Sequence, residues 1–77
     1  MPSAYVLINW TLGSDKVVIS RLREIPAVIQ AYQVYGAYDI IVRVAADTVE
    51  ELQQALKSDI RRLDSIVSTV TLVTKEI

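Results

Sequence analysis

The chain contains no cysteine and no histidine. Disulfides, thiol nucleophiles, imidazole acid–base catalysis and Cys/His metal sites are all excluded by that absence. A carboxylate-only metal site is left, but the acidic residues are scattered along the chain. Charge of one sign is also missing: the net charge is -1, and no basic block occurs. Nucleic-acid recognition usually needs a basic patch or stripe, so no direct contact with nucleic acid is expected. No apolar run approaches the roughly 20 residues that cross a bilayer. The N-terminus lacks a basic region followed by an apolar stretch, so no secretory signal is read. The expectation is a cytoplasmic protein with no metal, no cofactor and no membrane contact.

What the chain does have is apolar surface. Hydrophobic residues make up 52% of its 77 residues. A domain this short buries only about 60% of its unfolded surface. Surplus apolar area on so small a body marks an interface, and self-association is expected. One domain, residues 1–77, accounts for the whole length.

Residues 4–11 are rich in β-branched and aromatic types and read as a first strand, with Val6, Ile8 and Trp10 on one face and Tyr5, Leu7 and Asn9 on the other. Gly13 and Ser14 break it. Ser14 or Asp15 can cap a helix whose apolar positions are Val18, Leu22 and Ile25. Pro26 ends that helix. Residues 28–35 form a second strand, 36–39 a turn, and 40–44 a third strand. Thr48 and Glu51 make a capping box for a second helix, with Val49, Leu52, Leu56, Ile60 and Leu63 as its apolar stripe. Glu50 and Glu51 at its start and Arg61 and Arg62 near its end suit the helix dipole. Residues 66–74 form a fourth strand, with Val70 and Leu72 facing one way and Thr69, Thr71 and Val73 the other.

The order β-α-β-β-α-β predicts an α+β, ferredoxin-like fold: one antiparallel four-stranded sheet with both helices on one face. The open face is expected to carry Tyr5, Leu7, Asn9, Ile41, Arg43, Thr69, Thr71 and Val73. That mixture is too apolar for free solvent and too polar for a monomer core, so sheet-to-sheet pairing as a dimer is expected.

The most informative segment is Val34-Tyr35-Gly36-Ala37-Tyr38-Asp39-Ile40-Ile41-Val42. It places a glycine, which lets another backbone or a ligand approach, three residues before a carboxylate. Together they can receive a small zwitterion. Asp39 offers a charge-assisted partner for an ammonium, worth about 1.5–3 kcal/mol. Backbone amides near Gly36 and the hydroxyls of Thr69 and Thr71 offer donors to a carboxylate. The alternative readings are structural. Gly36 can be a turn residue with positive φ, Asp39 can bond the turn's own backbone, and the two threonines are good strand formers.

Three segments resemble the ligand-sensing (RAM) domain of the Lrp/AsnC transcriptional regulators. Ile25-Pro26-Ala27-Val28 resembles the junction of first helix and second strand. The hairpin from Val34 to Ile40 resembles the family's Gly-x-x-Asp turn. Ile66-Val67-Ser68-Thr69-Val70-Thr71-Leu72 resembles its last strand. The resemblance implies a stand-alone form of the module without the DNA-binding domain. It implies a homodimer, and higher homo-oligomers beyond that. An amino-acid effector would bind between dimers at Tyr35, Gly36, Asp39, Thr69 and Thr71, with no catalytic activity. Transcription would be modulated indirectly, by co-assembly with a full-length regulator. Two rival readings stay open. One is a small dimeric α+β barrel enzyme, a cofactor-free monooxygenase or isomerase, with Asn9 and Trp10 holding a substrate. The other is a ligand-free oligomerisation module.

Overall fold

The computed structural model describes residues 2–60 and 65–74. Its elements follow the expected order: β1 (Ser3–Trp10), α1 (Asp15–Arg23), β2 (Val28–Gln33), β3 (Ile40–Ala45), α2 (Val49–Gln54) and β4 (Ile66–Val73). The strands form one sheet in the order β2-β3-β1-β4. Every neighbouring pair is antiparallel. This is the ferredoxin-like arrangement predicted from the pattern.

Alternation along β1 and β3 builds the core, because successive strand residues point to opposite faces. Ala4, Val6 and Ile8 from β1 and Ile40, Val42 and Val44 from β3 are at most 1% exposed. Val18 and Leu22 of α1, with Leu52 of α2, cover them. Ile25 is buried as well, just past the end of α1, so all three apolar positions assigned to this segment pack inward.

Capping follows the sequence in one helix and departs from it in the other. Thr48 Oγ1 accepts from the Glu51 amide at 3.1 Å, as its half of the capping box requires. Ser14 is the N-cap of α1, but its hydroxyl makes no cap bond. It donates instead to the carbonyl oxygen of Thr11. Beyond Gln54 the second helix widens into a π-helical stretch, Ala55–Ile60. Ala55 and Ile60 lie five residues apart and are both buried, as the i→i+5 spacing of that geometry places them. Val49, read as part of the apolar stripe, is exposed. Leu63, Arg61, Arg62 and the tail Lys75-Glu76-Ile77 lie outside the described residues.

The face assignment of β4 is corrected. β4 pairs with β1 as Ala4↔Val73, Val6↔Thr71 and Ile8↔Thr69, so Thr69, Thr71 and Val73 share the helix side. The open face instead receives Leu72, Val70 and Ser68, opposite Tyr5, Leu7 and Asn9. A one-residue change in register moves every side chain to the other face. The pairing runs unbroken from Ala4↔Val73 to Asn9↔Ser68, and a bulge follows: Trp10 pairs with Ile66, leaving Val67 unmatched. The open face is therefore more apolar than expected.

Candidate functional site

The hairpin between β2 and β3 is held at its base by a backbone bond from the Val34 amide to the Asp39 carbonyl, 3.0 Å. β2 thus ends at Gln33, short of the expected Tyr35. Gly36 sits in the loop at φ 137°, a conformation that favours glycine. A Cβ built there meets nothing within 4 Å among the described residues. Within one chain, the backbone conformation and not a close approach calls for glycine. Tyr35 beside it is fully exposed, and Tyr38 is half-buried.

Asp39 is the fixed point of this end of the sheet. Its amide donates to the Ile8 carbonyl at 3.0 Å, while its own carbonyl accepts from Val34. Its carboxylate Oδ2 accepts from the Trp10 amide at 3.0 Å. The carboxylate thus extends the β1–β3 pairing by one bond, where the strand backbone turns away. That bond uses one carboxylate oxygen, and the other can take a second donor. The bond to Trp10 is a strand-to-strand tie and not the turn-local one the sequence suggested.

Thr69 and Thr71 are elsewhere. They belong to β4, at the opposite edge of the sheet from β2. Ile40, next to Asp39, shares a row with Ile8 and Thr69. Strands lie about 4.8 Å apart, so Thr69 is about 10 Å across the sheet from β3. Asp39 and the two threonines are thus not neighbours within one chain. The five residues implied by the resemblance therefore fall into two half-sites: Tyr35, Gly36 and Asp39 at the hairpin, Thr69 and Thr71 at the β4 edge.

The threonines line a groove between β4 and the second helix. The other residues lining it are Val6, Gln53, Leu56, Lys57 and Ile60. Gln53 and Lys57 were not singled out in the sequence. Their i, i+4 spacing is a signal that they share a helix side, but their chemistry alone reads as a solvated face. Asn9, the substrate-holding residue of the enzyme reading, donates from Nδ2 to Ser68 Oγ at 3.2 Å. Among the described residues no three Asp or Glu side chains come together as a metal site. No helix among them is long and apolar enough to cross a membrane.

A sheet with a helix layer on one side, an acid-bearing glycine hairpin and a groove at the far edge match a known class of sensor domain. The family model described as Lrp/AsnC ligand binding domain matches residues 3–77, and the chain belongs to that family. It is 36% identical over 59 residues to the regulatory protein AsnC of Haemophilus influenzae, covering 77% of this chain and 39% of that one. It is 31% identical over 74 residues to an HTH-type transcriptional regulator of Pyrococcus furiosus, covering 92% of this chain and 49% of that one. The chain thus spans half or less of the length of these curated relatives. Among solved structures, FFRP-DM1 superposes with a TM-score of 0.92 at 36% identity, covering 97% of this chain and 100% of that one. The Haemophilus relative is a regulatory protein and the Pyrococcus relative a transcriptional regulator.

Proposed function

We propose that residues 1–77 act as one effector-binding module, which takes a small zwitterion, an amino acid, between copies of the chain. The observation that carries this reading is Asp39. Three hydrogen bonds tie it to β1 and to Val34 at the base of the hairpin, and it stands beside an open glycine turn. A pinned carboxylate is a preorganised partner for an ammonium, and little ordering is needed when the ligand arrives. The separation of the two half-sites supports a site shared between copies: the hairpin of one chain supplies Asp39, and the β4 edge of another supplies Thr69 and Thr71.

The open sheet face supports self-association. Tyr5, Leu7, Tyr32, Ile41, Val70 and Leu72 lie together there, all half-buried or exposed. A homodimer formed sheet to sheet buries them, and higher homo-oligomers then bring hairpins and β4 edges together. Occupancy of the shared site would change the stability of that assembly. Through co-assembly, it would change the state of a full-length Lrp/AsnC regulator, with no contact between this chain and nucleic acid.

Calorimetric titration of the purified chain with each of the twenty amino acids tests the reading, using wild type and Asp39→Asn. Asparagine keeps an oxygen for the Trp10 amide and removes the charge, so the fold is spared. At least one amino acid is expected to bind wild type, and to bind the variant roughly tenfold or more weakly. The reading fails if none binds, or if the variant binds equally well.

A further inference from the structure

The helix side of β4 breaks the pattern of the sheet. The central strands present Val6, Ile8, Val42 and Val44 to the helices, as a covered antiparallel face should. β4 presents Thr69 and Thr71 in the same rows. The second helix does not close over them. A groove of about 170 Å³ separates it from the strand. Val6 and Ile60, each 1% exposed, form an apolar floor with half-buried Leu56 beside them. Gln53, Lys57, Thr69 and Thr71 supply the polar lining.

The backbone departs from regular geometry at the same place. Leu56, Lys57 and Ile60, three of the lining residues, belong to the π-helical stretch Ala55–Ile60. Such stretches are rare and concentrate at functional sites. Two independent features, hydroxyls where aliphatics belong and a widened helical turn, thus meet at one cavity.

Size and chemistry restrict the occupant. The groove is smaller than the roughly 300–1,000 Å³ of pockets that enclose a drug-sized ligand. It suits a head group and the first carbons behind it. An ammonium only donates, whereas hydroxyls and a side-chain amide both donate and accept. The complement is an acceptor-rich anion with an apolar continuation. Inorganic phosphate fits the donors but leaves the apolar floor against a fully polar ion. An alkyl carboxylate fits both.

We propose that this groove binds the carboxylate end of the ligand, with Lys57 as the residue that selects for it. The proposal deepens the effector reading above and rests on it for the ammonium end of the ligand. The groove itself belongs to one chain and needs no neighbour to form.

The test follows amide resonances of the isotope-labelled full chain during titration with butanoate, 4-methylpentanoate, 3-methylbutylamine and inorganic phosphate. The two acids are expected to shift Lys57, Thr69 and Thr71, whereas the amine and phosphate leave them in place. Lys57→Met is expected to weaken acid binding roughly tenfold or more, and Lys57→Arg to retain it. The proposal is overturned if neither acid binds, if the shifts fall elsewhere, if phosphate competes as well as the acids, or if Lys57→Met binds like wild type. The two readings can fail separately. Amino-acid binding sensitive to Asp39→Asn but not to Lys57→Met removes the groove alone. Acid binding sensitive to Lys57→Met, with no amino acid sensitive to Asp39→Asn, removes the effector reading alone.

Discussion

The two faces of the sheet are made by alternate residues of the same strands, yet they end in opposite environments. On the helix side, Val6 and Val42 are fully buried. One residue along each strand, Leu7 and Ile41 are only half-buried, and on the edge strands Tyr32 and Leu72 are 53% and 54% exposed. Hydrophobicity does not separate the faces; cover does. The helices protect one side, and Tyr5, Leu7, Tyr32, Ile41, Val70 and Leu72 gather on the other, while Leu12, Val17, Tyr35 and Val49 are exposed elsewhere. A gathered patch has the character of an interface. Arg43 sharpens the contrast. It sits on the open face opposite Tyr5, and its Nε is buried without a hydrogen-bond partner among the described residues. Buried polar groups are nearly always satisfied, so this nitrogen is a local cost on the open face.

The sharpest way to break the comparison is to substitute one residue on each face. Ile8→Ala opens a cavity in the helix-side core and is expected to cost about 2–5 kcal/mol. Small domains have little stability in reserve, so urea melts should show a largely unfolded variant. Leu72→Arg, on the open face, is expected to leave far-ultraviolet dichroism intact and to split the assembly. A hot-spot loss of about 2 kcal/mol or more corresponds to roughly thirtyfold in dissociation constant, readable by sedimentation across a dilution series. If Leu72→Arg leaves the mass unchanged, or if wild type is already a single copy at low concentration, the open face is not an interface.

Asp39 gives the next effect, at the seam between strands. Asp39→Ala removes the acceptor for the Trp10 amide, and a hydrogen bond to a charged group is worth about 1.5–3 kcal/mol. Asp39→Asn retains an acceptor without its charge and is expected to melt between Asp39→Ala and wild type, about 1 kcal/mol below the latter. Equal melting of all three proteins would mean that the carboxylate does not tie β1 to β3.

Much of the fold was legible because its signals are local. The strand–helix order, the buried stripe of Val18, Leu22 and Ile25, and the alternation of β1 and β3 are all carried by short-range periodicity. The face of β4 was not legible, since both alternating sets of that strand mix apolar and polar residues. Its parity depends on which residues of β1 it pairs with, and β1 is far away in the chain. The site was legible at Gly36 and Asp39 as chemistry, but not as geometry. Trp10, the partner of the Asp39 carboxylate, is 29 residues away, and no spacing rule announces it. Lys57 was invisible for a different reason: an exposed lysine in mid-helix looks solvated until the widened turn and the threonines are seen facing it.

The smallest expected effect concerns what keeps the covered face covered. α2 has only six residues, Val49–Gln54, before the helix widens. So short a segment has little intrinsic stability, and its start depends on one side chain, Thr48, which accepts from the Glu51 amide. Thr48→Ala leaves that amide without its cap and is expected to cost about 1 kcal/mol. The loss should appear on the helix side only. Amide exchange of residues 49–60 should accelerate, while β1–β3 amides and the mass of the assembly stay as in wild type. If the assembly loosened together with α2, the two faces would be coupled through the sheet, and cover on one side could no longer be treated as independent of cover on the other.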